Sequence, residues 1–476
     1  MTPTDLCYTP ATKLIPLIRS KKLSPVELTK AVLERIEKLN PKLNAFCTIT
    51  ADDAMKAARA AEQAVMKKKK LGPIHGIPFS VKDLSFTKGV RTMGDRISSR
   101  IAFPTTMRPS CADSRRREAF SPARPPLPNS AGRRSAAARS PATRTIPGTS
   151  RMNTGGSSAG AGAAAAAGLG PLHQGSDGAG SIRVPSAFCG VFGHKPSYGR
   201  VPQWPVSNND YTTHNGPMTR TVGDSALMMS IMAGADDWDR TSLDGAPDDY
   251  MGKLNRGVKG LRVAWSPDLD SLPVDPEIAA VVKKAVGAFK ELGAKVEEVR
   301  DQVRRHPRDD PGDVGRPLRG AWGSVSAQVA RQDGSGLRGV HRGRPARERG
   351  RVHRHARQED HALGFGAAAL REVRPAPDAV GVGGRLPLGR LNPEHWPQHA
   401  WDWLPWASFS YPFNFTGQPA CSLPAGFTKA GLPVGLQVVG RRFADLTVLQ
   451  AAAAFEKARP WQQTRPEAGL RWPSRP

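Results

Sequence analysis

Residues 154–200 read TGGSSAGAGAAAAAGLGPLHQGSDGAGSIRVPSAFCGVFGHKPSYGR. Two glycine-rich loops bracket a Gly/Ala run, and each loop carries serine among residues with little or no side chain. Gly155, Gly156, Ala159 and Gly160 surround Ser157 and Ser158, whereas Gly178, Ala179 and Gly180 lead directly into Ser181. Glycine permits positive φ and close backbone approach to a ligand. Several N–H groups of such a loop can therefore converge on one spot, as an oxyanion hole requires. A flexible Gly/Ser linker is a poor reading, because residues 182–191 continue with bulky apolar side chains and a single charge, Arg183. A phosphate-binding loop is excluded, since no Gly-Lys-Ser/Thr follows the glycines. By itself the glycine pattern leaves a catalytic and a structural reading equally open.

A lysine separates them. Residues 72–83 read GPIHGIPFSVKD, an apolar run over Ile77–Val81 that ends in Lys82 and Asp83. A lone surface lysine would be the ordinary reading, but this one closes an expected buried strand. Taken together, the G-x-x-x-G-x-P-x-x-x-K-D segment, the GGSSAG loop and the DGAGSIRVP loop resemble the amidase signature family. The spacings fit as well, with 75 residues from Lys82 to Ser157 and 24 from Ser157 to Ser181.

The resemblance implies an α/β fold, an α/β/α sandwich with a mixed central sheet flanked by helices. It also implies a hydrolase acting on linear C–N amide bonds through a Ser–cis-Ser–Lys triad. Residue by residue, Ser181 becomes the nucleophile, Ser157 the bridging serine and Lys82 the base. The N–H groups of Gly178, Ala179, Gly180 and Ser181 become the oxyanion hole. No cofactor and no metal are implied, and the expected partner is a small-molecule amide. Ala179 departs from the family, which usually has glycine there; its methyl is tolerable at negative φ and strained at positive φ. Asp177 and Arg183 are assigned to supporting the loop as an ion pair, and His173 and His194 to structure. A free lysine titrates near ~10.4, so a base acting near neutrality must be shifted down by burial. The apolar run before Lys82 is suitable surroundings.

Length and composition agree with a large enzyme core: 476 residues suffice for one big domain or two or three ordinary ones. The five cysteines are scattered and lack CxxC pairs, which argues against a disulfide framework or zinc site and for a reducing compartment. The first twenty residues lack the layout of a signal peptide, and the small-apolar run 161–169 is too short to span a bilayer. A cytoplasmic enzyme without membrane association is expected, with homo-oligomerisation left open. The single amidase domain, 1–476, divides into N-terminal helices (1–70), a catalytic core (71–300) and a C-terminal core (396–476).

Within these parts the periodicity is regular. Residues 24–39 begin with Ser24, Pro25 and Glu27, the pattern of a capping box, and Leu28, Val32, Ile36 and Leu39 form one apolar face. A second helix is expected over 52–68 and ends in the charge run Lys67–Lys70, which reads as solvated. Residues 221–233 read as a buried helix whose methionines fill core space. Strands over 260–265 and 295–299 flank a helix at 276–292, a β-α-β alternation that indicates layered α/β structure. A last helix is expected over 445–457.

The net charge of +27 would ordinarily suggest nucleic acid, but its distribution does not. Residues 104–152 hold ten Arg, no Lys and two acids, and residues 302–395 hold eighteen Arg, no Lys and ten acids. Both stretches lack periodicity and interleaved aromatics, and both lie where enzyme sequence belongs. The Lys82–Ser157 spacing already fits the family, so the first is not an insertion. Shifted reading frames supply an explanation. Read with the third base of each codon joined to the next two, residues 119–133 permit VFTGKTTTPEFGWK, 108–119 permit an amphipathic helix, and 145–149 permit NPWN. In the other frame, residues 370–387 permit FEKYDLLLTPSVSAAAF, a helix end and a buried strand. Each resembles a family segment, in the family's order. Excluding both stretches, the resemblance covers about two-thirds of the chain.

The stretches are therefore expected to be out of frame and poorly ordered. The remaining alternatives are the glutaminase subunit of a tRNA-dependent amidotransferase, an inactive product, and a basic nucleic-acid-binding protein.

Overall fold

Burial begins at the N-terminus, where Thr2 and Asp5 form a reciprocal capping box on α1 (Pro3–Tyr8). Helix α2 spans Ala11–Arg19 and α3 spans Pro25–Leu43. Ser24 caps α3, its hydroxyl accepting from the Val26 and Glu27 amides, but the carboxylate beside it, 2.5 Å away, is Glu62 Oε1 rather than the Glu27 partner of the expected capping box. The expected apolar face is buried at Leu28, Val32, Ile36 and Leu39, and the helix runs one turn further to an Asn44 cap in the left-handed region. Strand β1 (Phe46–Ile49) and helix α4 (Ala51–Met66) follow, with Lys67–Lys70 exposed.

The structure is a computed structural model that describes residues 1–87, 89–90, 99–102, 145–146, 149–206, 211–269, 274–299, 362–366 and 409–466. These residues all belong to one compact unit, 1–299 and 361–476. Its backbone is a mixed sheet built from β1 and β2 (Phe79–Lys82), β3 (Ser99–Ala102), β6 (Leu172–Asp177), β7 (Phe192–Lys195), β8 (His214–Thr219), β9 (Arg262–Ser266), β10 (Lys295–Glu298), β11 (Ala362–Gly366), β12 (Ala420–Phe427) and β13 (Pro433–Val439). Among the described residues it has eleven strands in the order β1-β3-β2-β6-β8-β7-β12-β13-β11-β9-β10. The pairings β1–β3, β2–β6, β9–β10 and β9–β11 are parallel and the others antiparallel. A separate hairpin joins β4 (Thr145–Ile146) to β5 (Thr149–Asn153).

Two apolar clusters flank this sheet. One gathers Leu14, Ile18, Val32, Ile36, Phe79, Val81 and Leu172 beneath the N-terminal helices. The other gathers Trp265, Leu423, Leu436 and Val438 with side chains of α8 (Pro276–Glu291) and α10 (Asp445–Ala458), including the stacked Phe289–Phe455 pair. Helix α7 (Val222–Met232) contributes to both, with Ala226 and Met229 to one cluster and Leu227, Met228 and Ile231 to the other. Its methionines are core side chains, as the sequence implies. A helix apolar all round is one that is covered all round.

Helices α5 (Ala159–Ala167) and α6 (Arg183–Cys189) are buried along their whole length. Small residues make this packing close. A Cβ on Gly435 of β13 would stand 2.5 Å from the Ala187 Cβ, so α6 can lie on the sheet only where that side chain is missing. The loop preceding α6, with Ser181, is thereby fixed against the strand ends.

Of the two arginine-rich stretches, 145–146 and 149–152 lie in the hairpin and 362–366 forms β11. The expectations of poor order, and of a strand concealed behind 370–387, otherwise fall outside the described residues.

Glu456 of α10 is buried against the amino end of α7, and both its oxygens accept from the Val222 amide at 3.2 Å. Burial, reinforced by nearby Asp224, pushes its carboxyl up to about 8 from 4.5. A folded-state value above the unfolded one means that stability is full below about 4.5 and is lost as pH rises through 8. Glu456→Gln keeps an acceptor for Val222 and cannot ionise. Its melting temperature should exceed the parent's by at least ~3 °C at pH 8, and the two should converge near pH 4.5; scanning calorimetry across that range checks this.

Candidate active site

Lys82 sits at the carboxyl end of β2, where pairing with β6 holds it over Gln174 and Ser176. Only 1% of its surface is exposed. Gln174 Oε1 accepts from the Lys82 amide at 2.9 Å. The amine itself lies 2.6 Å from Ser157 Oγ, 2.9 Å from Ser176 Oγ and 3.4 Å from the Ser176 carbonyl. Burial of an amine disfavours its ammonium form.

Ser157 follows a cis peptide bond from Gly156 and is half-buried. Its neighbour Ser158 has another task. The Ser158 hydroxyl donates to the Ser176 carbonyl at 3.0 Å and accepts from the Ser176 amide at 3.2 Å, while its amide donates to the Ser181 carbonyl at 3.1 Å. That last bond draws the second serine loop beside the first. Ser181 is half-buried, and its hydroxyl makes no hydrogen bond among the described residues. The structure thus joins Lys82 and Ser157 directly and brings Ser181 beside them through the backbone.

The loop before Ser181 is organised by Asp177 and Arg183, both completely buried. The guanidinium donates through Nη2 to Asp177 Oδ1 at 2.9 Å and through Nε to Oδ2 at 3.0 Å, the ion pair expected from sequence. Burial opposes a charge on Asp177, but the Arg183 charge and hydrogen bonds outweigh it and hold the carboxyl well below the usual range. Asp177 Oδ1 also accepts the Gly180 amide at 2.6 Å, and Oδ2 accepts the Ile182 amide at 3.2 Å. Gly180, at φ +117°, is thereby turned inward. Its N–H is occupied, unlike those of Gly178, Ala179 and Ser181, which meet no acceptor among the described residues. Ala179 is not among the residues at positive φ, so its methyl is accommodated without backbone strain.

Sequence reasoning missed the outer partners. Arg183 Nη1 donates at 2.7 Å to the Ser410 carbonyl and to Gln437 Oε1, and Nη2 donates at 2.6 Å to Asn414 Oδ1. Asn414, in the short helix α9 (Pro412–Phe415), returns hydrogen bonds of 2.7 and 2.9 Å to the Asp177 carbonyl and Oδ1. Ser176, the second hydroxyl on Lys82, was also missed. The available signal was polarity inside apolar runs: Ser410 and Asn414 in FSYPFNF, Gln437 in VGLQVVG and Ser176 in LHQGSD.

Both histidines make structural contacts. His173 Nε2 donates to the Gly170 carbonyl at 2.9 Å and Nδ1 meets Ser80 Oγ at 2.7 Å. Burial lowers this ring to about 4, so it is neutral near pH 7, and Nδ1 accepts from the hydroxyl. His194 lies 3.4 Å from Asp445 at the start of α10. Among the described residues no cluster of three His, Cys, Asp or Glu could hold a metal ion, and no helix is long and apolar enough to cross a membrane.

The sequence pattern of the Amidase family matches residues 27–307 and 385–449. The chain belongs to the amidase signature family. It is 34% identical to an acylamidase of Rhodococcus erythropolis over 513 aligned positions, covering 99% of each protein. Identity to a glutamyl-tRNA(Gln) amidotransferase subunit of Moorella thermoacetica is 33%, covering 98% of this chain and all of the relative. Among solved structures, a bacterial aryl acylamidase of the same family superposes with a TM-score of 0.66 at 26% identity, covering 98% of this chain and 99% of the other. As in other members, the enzyme is a hydrolase acting on amides.

Removing Arg183 leaves Asp177 as a buried charge without its counter-ion. Arg183→Met should destabilise the enzyme by about 3–5 kcal/mol. Adding Asp177→Asn in the same chain should recover part of that loss, because the stranded charge goes with it. Urea unfolding of the two variants gives both numbers.

Proposed function

We propose that the enzyme hydrolyses a small or aryl acyl amide to a carboxylate and an amine through an acyl-enzyme on Ser181. The observation that carries this reading is the 2.6 Å contact between the buried Lys82 amine and Ser157 Oγ, with the Ser181 carbonyl held by the Ser158 amide next to it. A neutral amine has two N–H bonds and one lone pair. Ser176 Oγ and the Ser176 carbonyl accept the two N–H bonds, leaving the lone pair to receive a proton from Ser157.

Ser181 Oγ then attacks the amide carbon as its proton passes to Ser157 Oγ and the Ser157 proton passes to Lys82. The carbonyl oxygen gains negative charge and is met by the N–H groups of Gly178, Ala179 and Ser181; the Gly180 amide instead holds Asp177. Collapse breaks the C–N bond, and the same relay run backwards delivers a proton to the leaving nitrogen. Water attacks the acyl-enzyme with its proton taken along the same path, releasing the acid and restoring Ser181. A preorganised donor set at the oxyanion is worth roughly 10²–10³ in rate per donor lost.

The acylamidase and aryl acylamidase relatives support an acyl amide as substrate. The amidotransferase relative supports glutamine hydrolysis inside a larger assembly. Release of aniline from an N-acyl aniline by the chain alone, with no ammonia from glutamine, distinguishes the first from the second. With both reading frames restored, Ser181→Ala should abolish turnover, and Ser157→Ala and Lys82→Ala should each lower kcat by orders of magnitude while circular dichroism stays unchanged. Near-normal turnover by Ser181→Ala would reassign the nucleophile.

We further propose that residues 104–152 and 302–395 are read out of frame in this chain, which would make it unstable or inactive, so the expectations for turnover and unfolding apply to the chain with both frames restored. Resequencing the coding DNA should find compensating one- or two-base changes near codons 96–108 and 152, and near 300 and 388–395. An intact reading frame that makes a stable, active enzyme rules this out.

A further inference from the structure

The two glycine-rich loops account for the nucleophile, but not for what holds the oxyanion donors in direction. A peptide unit is planar and its C=O and N–H point opposite ways. Each donor N–H of the 177–181 loop therefore faces the substrate only if the carbonyls around it are anchored on the other side. The Asp177 carbonyl accepts from Asn414 Nδ2 at 2.7 Å, the Gly180 carbonyl from the Val184 amide at 2.7 Å and the Ser181 carbonyl from the Ser158 amide at 3.1 Å. The Ala179 carbonyl accepts from Ser410 Oγ at 2.6 Å, and the N–H of the same peptide unit donates to Asp177 Oδ1 at 2.6 Å.

We infer that Ser410 is a positioning residue for the amide hydrolysis. Its hydroxyl clamps the Ala179–Gly180 peptide at the oxygen edge while Asp177 clamps it at the nitrogen edge. That peptide lies between the two donor amides, of Ala179 and Ser181. With both edges held its plane cannot rotate, and both donors keep their aim as charge develops on the substrate.

Three observations single out this hydroxyl. Ser410 is 1% exposed, so its bond to Ala179 is not exchanged for water. Its own carbonyl accepts from Arg183 Nη1 at 2.7 Å, so the clamp is tied to the ion pair that holds the nitrogen edge. It also stands so near the loop that a Cβ on Gly180 would meet Ser410 Oγ at 2.3 Å, leaving the peptide no space in which to turn while the serine is present.

The inference rests on Ser181 being the nucleophile, and the experiment separates the two. In the full-length chain with both reading frames restored, kcat and KM for an N-acyl aniline are measured together with the affinity for phenylboronic acid, which adds serine Oγ to form a tetrahedral adduct with an oxygen at the oxyanion position. Ser410→Ala should lower kcat and weaken boronate binding by about 10- to 100-fold, with KM within about twofold. Ser410→Thr, which keeps the hydroxyl, should recover most of both. Should the alanine variant fail to fold, Ser410→Cys, of similar shape and weaker as a donor, should show the same paired losses. Unchanged kcat and boronate affinity in Ser410→Ala or Ser410→Cys, or a threonine variant as impaired as alanine, would overturn the clamp. If instead Ser181→Ala keeps turnover and boronate binding, the nucleophile reading fails, and that outcome is distinct from loss in Ser181→Ala with full function in Ser410→Ala.

Discussion

Asp177 and Arg183 are both wholly removed from water, and a buried charge persists only when paired and hydrogen-bonded at nearly every lone pair and proton. That requirement shapes the site. The carboxylate needs acceptor bonds filled, and it fills them with backbone amides of the loop that follows it, from Gly180 and Ile182. The guanidinium has five N–H groups to place, and it places them on Asp177, Ser410, Asn414 and Gln437. The curl of the loop around Ser181 is thus the geometry in which this pair is satisfied. Stability and the direction of the loop amides have one cause.

The second polar network is built from hydroxyls and a carbonyl around Lys82, with Ser157 and Ser176 nearest. The contrast between the two side chains follows from their chemistry. Arginine presents five donors in a planar fork and suits a fixed pair with many acceptors, whereas the lysine amine is a compact donor on a flexible stem. The networks meet at Ser158, whose hydroxyl is bonded to the Ser176 backbone and whose amide holds the Ser181 carbonyl.

Much of this was legible because it is local. Ser157, Ser181, Lys82, Asp177 and Arg183 lie in short segments whose glycines and apolar runs constrain them, α3 announces itself by cap and periodicity, α7 by its apolar content and α8 by its place between two strands. The ion pair spans six residues. What stayed hidden is non-local. Ser410, Asn414 and Gln437 are more than 220 residues from Arg183, and nothing in a single chain marks which distant polar residue will complete a buried donor set. The role of Ser158 was hidden for another reason: it stands beside Ser157 in an identical setting, and only the turn into α5 decides which hydroxyl faces the lysine. The occupied Gly180 amide was equally invisible, since a glycine code does not say which way its N–H points.

The distance between Arg183 and its partners has a bearing on how the protein is made. Synthesis runs from the amino end, and a chain extended as far as residue 400 already contains both serine loops and the lysine, yet lacks Ser410, Asn414 and Gln437. In that nascent state three of the four residues that receive the Arg183 guanidinium do not exist, and Asp177 is its sole companion. The serine loop gains its final form only when β13 and the segment before α9 emerge and dock. The Ser181 loop therefore acquires its full set of partners only after residue 437 has been made, and shorter nascent chains carry the loop without them.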